Sequence, residues 1–363
     1  MVTILQFVGG FVLLLFGAEY LVRGAVSLAR RLNVSPMIIG MTIVAYGTTS
    51  PELVVSLQAA IDGLPGISVG NVVGSNIANI LLILGLSAVI FPIVVKPKTL
   101  YRDAAVMMGS ALLFTALALN GIISRWQGAL MVAALIVFSI YAFQAERKRG
   151  KANDPGDLPE ELADEFKDPP QATWLAVLSI VGGVASVVVG AKLLVTAAVT
   201  TARYFGVGEE VIGLTIVAAG TSLPEVATSI AASVRGERDI AVGNVVGSNI
   251  FNLLLVLGAA AVVAPGGIVV PPAALTFDLP VMVAVSVACL PIFFNGYAIK
   301  RWEGAVFVGY YFAYAAFLIL DAAAHEAAPI VGRIMLTFVL PITALTLAVV
   351  TYRAWARRRN PEG

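Results

Sequence analysis

Eleven predominantly apolar stretches follow one another along the chain, near 3–29, 34–60, 67–92, 102–120, 124–143, 172–200, 207–233, 239–264, 274–294, 301–320 and 328–352. Each is close to the 20 or so residues a helix needs to cross a hydrocarbon core. The polar segments between them are short, except Gln144–Gln171. That stretch holds eight Asp/Glu and five Lys/Arg together with Pro and Gly, and reads as a solvated linker. The first run is too long for a signal-peptide core and lacks a basic start, so it reads as a spanning helix. The pattern predicts an all-α polytopic membrane protein.

The chain repeats itself. Gly40–Ser56 (GMTIVAYGTTSPELVVS) and Gly213–Ser229 (GLTIVAAGTSLPEVATS) agree at ten of 17 positions with an offset of 173. Gly70–Leu81 (GNVVGSNIANIL) and Gly243–Leu254 (GNVVGSNIFNLL) agree at ten of 12 with the same offset. Gly17-Ala18 matches Gly190-Ala191, and Asn120-Gly121 with Arg125-Trp126 is echoed by Asn295-Gly296 with Arg301-Trp302. These matches predict two copies of a five-helix unit, over 1–143 and 172–320. Between them lies the linker 144–171, and 321–363 adds an extra helix and a basic tail. Five is odd, so the second copy enters the membrane from the opposite side. Inverted repeats of this kind recur in secondary transporters, with the site at the midplane between copies.

Charge sets the orientation. With the N-terminus outside and the C-terminus in the cytoplasm, eighteen of the 23 Lys/Arg fall in inside loops and three in outside loops, as the positive-inside rule requires. A multi-pass protein of the cell membrane is expected.

The second span of each copy carries the first candidate chemistry, Gly47-Thr48-Thr49-Ser50-Pro51-Glu52 and Gly220-Thr221-Ser222-Leu223-Pro224-Glu225. Pro breaks the helix and frees a carbonyl. Glu in hydrocarbon needs a cation, a partner or water. Freed carbonyls, hydroxyls and a carboxylate are hard oxygen ligands, suited to Ca²⁺ or Na⁺. The competing reading is a kinked helix whose Glu is protonated or snorkels. The next span of each copy adds Asn71, Ser75, Asn76 and Asn79, and Asn244, Ser248, Asn249 and Asn252. Ser75 and Asn79 share a helix face, as do Ser248 and Asn252, and these four read as ligands. Asn71 and Asn244 read as packing glue, and Gly70, Gly74, Gly243 and Gly247 permit close helix approach.

These paired segments resemble the α-repeats of the cation/Ca²⁺ exchanger superfamily, the sodium/calcium exchangers. The resemblance covers the first ten spans. It implies ten core helices in two inverted halves and four cation sites at the membrane centre. By position, it makes Glu52 and Glu225 shared central ligands, with backbone carbonyls of Thr48 and Thr221 offered to Ca²⁺. It groups Ala45, Thr49 and Ser75 in one flanking Na⁺ site and Ala218, Ser222 and Ser248 in the other, with Asn79 and Asn252 lining the middle. It further implies that spans 1 and 6 slide over the other eight. One departure stands out, since some relatives carry Asp at one position of the last pair and this chain carries Asn at both. The cage then holds two formal charges, balanced by one Ca²⁺ or two Na⁺, and a third Na⁺ leaves it at +1 and sensitive to voltage. Asn252 also disfavours K⁺ cotransport. Gly74 and Gly247 stand where proton-coupled relatives tend to have an acid, which favours sodium coupling. Proton coupling needs only a buried carboxylate that takes up a proton, which Glu52 or Glu225 offers.

Composition removes other classes. A net charge of +1 leaves no nucleic-acid footprint. The single Cys289 allows no intrachain disulfide, and the single His325, in a loop, disfavours zinc sites and histidine relays. No GxxxxGK[ST] motif is present, against an ATP-driven pump, and no enzyme activity or cofactor is expected. The partners are Ca²⁺, Na⁺ and the lipid bilayer, and the sequence leaves the oligomeric state open. Proton/Ca²⁺ exchange, Na⁺/Mg²⁺ exchange and a cation channel stay as alternatives, although a mixed oxygen cage suits Ca²⁺ better than Mg²⁺. Glu19 and Lys192 hold equivalent places in spans 1 and 6, and either pair with each other or face water. Asp103 and Asp278 are expected as helix N-caps. The linker lacks EF-hand spacing.

Overall fold

The computed structural model describes residues 2–32, 34–94, 97–152, 172–205, 218–294, 298–322, 330 and 332–333. Within them the chain is a helical bundle. Span 1 is α1 (Val2–Leu32), and span 2 is a bent pair, α2 (Pro36–Thr48) and α3 (Ser50–Ile61). Span 3 is α4 (Pro65–Ile90), and α5 (Pro97–Ala118) and α6 (Arg125–Ala152) follow. The second copy comprises α7 (Thr173–Tyr204), α8 (Ala218–Thr221), α9 (Leu223–Val234), α10 (Arg238–Val263), α11 (Leu279–Phe294) preceded by a π turn at Ala274–Asp278, and α12 (Arg301–Ala322). Six of the described helices are long and apolar enough to cross a bilayer, and seven if the bent pair is one span. The eleventh stretch (apart from Ile330, Gly332 and Arg333), His325 and residues 206–217 lie outside the described residues, as does 153–171 of the linker.

The breaks in span 2 and its counterpart follow from proline. Pro51 and Pro224 each sit in the first turn of the following helix, where a missing N–H is harmless. The preceding residues leave helical geometry, Thr49 at φ −77, ψ 0 and Ser222 at φ −88, ψ 2, and α2 meets α3 at 47°. Both half-helices end alike, at Gly63 (φ 73) and Gly236 (φ 80). Glycine takes this left-handed conformation without a Cβ clash and lets the last carbonyls be capped.

Burial separates core from wall. The apolar windows of α4 and α10 are 72% and 78% buried, against 22% for α1, 33% for α7, 22% for α6 and 17% for α12. In α10 the small residues of GNVVGSN contribute to this, because they let backbones touch. A Cβ on Gly243 or Gly247 would collide with the Met37 or Met41 backbone of α2. The positions 173 residues on from those methionines lie outside the described residues.

The two copies are related by an inversion visible in packing. Along α1 and α7, Gly10 abuts Gly190, Gly17 abuts Val187, and Gly24 abuts Ala176. Partner numbers fall as residue numbers rise, so these equivalent helices run antiparallel. Gly85 of α4 meets Gly304 of α12, and its mate Gly258 of α10 meets Gly128 of α6. Two short ribbons close the ends, β1 (Ile93–Val94) with β4 (Ala298–Ile299) and β2 (Ile122–Ile123) with β3 (Ile268–Val269). The first joins the loops after spans 3 and 9, the second those after spans 4 and 8. Each ribbon thus joins loops that the span count puts on one face. The Asn-Gly…Arg-Trp echo also finds a role. Arg125 Nε donates to the Val262 carbonyl at 2.8 Å and Arg301 Nη2 to the Ile90 carbonyl at 3.3 Å, each covering the end of a helix in the other copy.

Two expectations need correction, and one open alternative is decided. Helix α6 does not stop at 143 but continues to Ala152, because Ala, Glu, Lys and Arg sustain a helix after it leaves apolar surroundings. Asp103 and Asp278 are not N-caps. Helix α5 starts earlier, at Pro97, which leaves Asp103 buried in the second turn and paired with Arg102 at 2.6 Å. Asp278 closes a π turn and accepts a 2.9 Å hydrogen bond from Tyr314. Glu19 does not meet Lys192. In the antiparallel α1–α7 seam, Glu19 lies opposite residue 183, and nine residues of helix, about 13 Å, separate that level from Lys192. Glu19 instead pairs with Arg23 at 2.7 Å and with Arg235 of α9, while Lys192 is exposed.

Candidate functional site

The breaks in α2–α3 and α8–α9 meet the middles of α4 and α10 at the centre of the bundle. Glu52 and Glu225 are each 1% exposed, and Thr48, Thr49, Ser75, Ser222, Ser248, Asn79 and Asn252 are buried with them. Their hydrogen bonds form a crossed pattern in which each bond has a mate 173 residues away. Thr49 Oγ1 donates to Glu225 Oε1 at 3.1 Å, and Ser222 Oγ donates to Glu52 Oε1 at 3.3 Å. Thr49 Oγ1 lies 3.1 Å from Ser248 Oγ, and Ser222 Oγ lies 3.2 Å from Ser75 Oγ. Thr48 donates to Asn244 Oδ1 at 3.2 Å, and Thr221 donates to Asn71 Oδ1 at 3.4 Å.

The hydroxyl contacts cross between the two copies. Thr49 sits with Ser248, and Ser222 with Ser75, rather than each hydroxyl with the serine of its own copy. The cause is the seating of α2 on α10 through Gly243 and Gly247, which brings the first hexad against the second copy's serine. Ala45 is buried on α2, and its carbonyl accepts from Thr49 N at 2.9 Å and Thr48 Oγ1 at 3.3 Å. Ala218 opens α8, one turn before Ser222.

Asn71 and Asn244 serve as the expected glue. Asn71 Nδ2 donates to Ser56 Oγ at 2.9 Å and to the Glu52 carbonyl at 3.3 Å, and Asn244 makes the matching bonds to Ser229 Oγ and the Glu225 carbonyl at 3.0 and 3.5 Å. They tether the backbone of each glutamate to the neighbouring helix.

The unsatisfied atoms define the chemistry. Among the described residues, four buried carbonyl or carboxylate oxygens have no hydrogen-bond partner: Glu52 Oε2, Glu225 Oε2, Asn79 Oδ1 and Asn252 Oδ1. The other buried oxygens without partners are hydroxyls of Ser35, Ser87, Thr228 and Ser233. Leaving such acceptors bare is costly, and all four belong to residues singled out as ligands from the sequence. No three His, Cys, Asp or Glu converge among the described residues, so the donor set is hard oxygen with two carboxylates. That set answers a hard cation. Each asparagine also begins a π turn, Asn79–Leu84 in α4 and Asn252–Leu257 in α10. Such turns are frequent at functional sites because they re-aim side chains and free backbone groups.

Sequence reasoning left Asn76, Asn249, Met107 and Met282 without a role. Asn79 Nδ2 donates to Asn249 Oδ1 at 3.1 Å and Asn252 Nδ2 to Asn76 Oδ1 at 3.2 Å. Asn249 Nδ2 donates to Met107 Sδ at 3.4 Å, and Asn76 Nδ2 to Met282 Sδ at 3.8 Å. The asparagines sit in the repeated motif and could have been noticed there. The methionines carried no signal beyond an offset of 175.

A polytopic bundle built on an inverted repeat, with a buried pair of carboxylates at two broken helices, defines a secondary transporter of cations. The family described as sodium/calcium exchanger protein matches residues 2–144 and 175–320. The chain belongs to that family, within the cation/Ca²⁺ exchanger superfamily, and is a cation/Ca²⁺ antiporter of that class. It is 43% identical over 282 residues to the putative antiporter CaxA of Alkalimonas amylolytica, covering 77% of this chain and 86% of that protein. It is 36% identical over 342 residues to the sodium/calcium exchanger MaX1 of Methanosarcina acetivorans, covering 84% and 95%. The solved structure of the sodium-calcium exchanger NCX_Mj soaked with zero Na+ and Ca2+ superposes with a TM-score of 0.75 at 30% identity, covering 87% of this chain and 99% of that one.

Proposed function

We propose that this protein exchanges Na⁺ for Ca²⁺ across the cell membrane by alternating access, with the N-terminus outside and the C-terminus in the cytoplasm. The observation that carries this reading is the set of four partnerless oxygens of Glu52, Glu225, Asn79 and Asn252 at the contact of the two copies. In the proposal these line the central position, with the Thr48 and Thr221 carbonyls. Thr49 and Ser248 with Ala45 form one flanking position, and Ser222 and Ser75 with Ala218 form the other. The working units are residues 1–143 and 172–320, joined by the linker 144–171, with 321–363 appended.

Electrostatics then enforces exchange. An empty cage holds two bare carboxylates, and carrying them through a closed intermediate is prohibitive. One Ca²⁺ or two Na⁺ neutralise the cage and allow the switch. Helices α1 and α7, zipped together by their glycine seam, are the natural moving element, because they lie at the wall while α4 and α10 form the buried frame.

The test is Ca²⁺ uptake by proteoliposomes loaded with Na⁺ and diluted into Na⁺-free buffer. Uptake that requires the Na⁺ gradient and is lost in Glu52→Gln and Glu225→Gln is the expected result. Uptake driven by a pH gradient would move the protein to proton coupling. Flux indifferent to any counter-gradient would overturn antiport in favour of a channel.

A further inference from the structure

We infer that Asn76 and Asn249 are positioning residues for the cation cage, each clamping the ligand asparagine of the opposite copy so that its carbonyl oxygen faces the ions. The inference rests on the reading of Asn79 and Asn252 as ligands.

A carboxamide presents oxygen or NH₂ in nearly the same volume, and only the oxygen attracts a cation. The side of a ligand asparagine that faces the cage is therefore decided by where its NH₂ group finds an acceptor. Asn79 gives its NH₂ to Asn249 Oδ1 at 3.1 Å, and Asn252 gives its own to Asn76 Oδ1 at 3.2 Å. The oxygens left over, Asn79 Oδ1 and Asn252 Oδ1, are the two buried carbonyls without partners.

A clamp that could itself turn over would fix nothing. Asn249 is held by donation to Met107 Sδ at 3.4 Å. Asn76 is held by donation to Met282 Sδ at 3.8 Å and to the Asn249 backbone carbonyl at 3.4 Å. A thioether and a backbone carbonyl accept hydrogen bonds and never donate them. Turning Asn249 over would set its oxygen against sulfur with no hydrogen between, and its NH₂ against the NH₂ of Asn79. The direction of each chain, from ligand to clamp to methionine, is thus set at its far end. All of these asparagines and methionines are buried, so water is a poor substitute acceptor. The clamp also ties the cage to neutral ligands. An Asp at 252 would face Asn76 Oδ1 with oxygen against oxygen, and Asn76 would have to abandon its other bonds to relieve the clash.

The experiment is a double-mutant cycle on the purified full chain, read as Ca²⁺ binding by titration calorimetry. Asn249→Leu removes the acceptor at similar volume, and should weaken Ca²⁺ binding by up to roughly tenfold, the scale of one net hydrogen bond between neutral amides. In proteoliposomes its KM should rise alike while the rate at saturating Ca²⁺ stays within about twofold, since ground-state binding is what is lost. Asn79→Ala should weaken binding by a similar factor, and Asn249→Leu should then add nothing, because the residue it positions is gone. Thermal unfolding of each variant reports any general damage. If Asn249→Leu does not fold, the related cycle of Asn76→Leu and Asn252→Ala reads the same coupling. Wild-type binding in the clamp variant, or losses that multiply in full, would overturn the clamp. Glu52→Gln serves as the control for the site. If it binds Ca²⁺ as the wild type does, the cage reading itself fails, whatever the cycle shows.

Discussion

At the centre of the molecule the hydroxyl bonds to the glutamates and the bonds between asparagine side chains each have a mate in the other copy, whereas at the rim one contact is made and its mate is not. Thr49 with Glu225 answers Ser222 with Glu52, and Asn79 with Asn249 answers Asn252 with Asn76. At the rim, Glu19 of α1 pairs with Arg235 at the end of α9. The positions 173 residues away are Lys192 of α7 and Asp62 at the end of α3, so the charges are reversed and could pair again. They do not. Lys192 is exposed, and Asp62 accepts a 2.8 Å bond from Gln58 of its own helix. Two copies with the same ligand chemistry are therefore held in unequal positions against the α1–α7 pair. A transporter open to one side at a time must be asymmetric somewhere. Under the proposed mechanism that asymmetry lies where the outer helices meet the frame.

The strongest test of the symmetric half of this comparison is to damage the centre on either side. Glu52→Gln and Glu225→Gln each remove one of the two buried carboxylates of the proposed cation cage, and each should reduce Ca²⁺ transport about a hundredfold or more, as losing a partner of a buried ion does. The two losses should match. A glutamine variant that retained most of its flux on one side alone would show that the copies do not share the ion equally.

How far the sequence reached follows the same division. The repeats, the broken spans and the glutamates are legible because they depend on residue identity at a fixed offset and on the physics of proline and carboxylate in hydrocarbon. The pairing of Thr49 with Ser248 is not legible, because an offset says which residues are equivalent and nothing about which copy each one touches. That was decided by the packing of Gly243 and Gly247 on α2. The caps assigned to Asp103 and Asp278 failed because apolar runs mark where a helix is greasy, while Pro97 marks where it starts. Glu19 and Lys192 were rightly seen as equivalent, but equivalent residues on antiparallel helices meet only near the symmetry axis, and these lie away from it.

A smaller effect is expected from the hydroxyls that support the carboxylates. Thr49→Val and Ser222→Ala each delete a donor to a glutamate in the other copy, at 3.1 and 3.3 Å. Each should raise the KM for Ca²⁺ by about three- to tenfold, the range of one hydrogen bond to a charged group that the ion can partly replace. Initial rates across a Ca²⁺ series would check this. Equal changes would sharpen the symmetry of the cage, and a change in one variant alone would break it.

The smallest effect belongs to the rim and is the most telling for its asymmetry. The Glu19 and Arg235 side chains are 32% and 29% exposed, and an ion pair that wet is worth about 1 kcal/mol at most, a factor of about five. Arg235→Gln opens the contact that is closed here, and Asp62→Asn prevents the contact that is open here from ever closing. Apparent affinity on each side scales with the fraction of molecules facing that side. The two variants should therefore shift the ratio of the two sides' KM values for Ca²⁺ in opposite senses, each by about two- to fivefold. Flux measured in both directions across oriented proteoliposomes reads that ratio. Shifts in the same sense would mean that the two contacts stabilise one arrangement rather than opposing ones, and the unequal rim would then be an accident of surface charge.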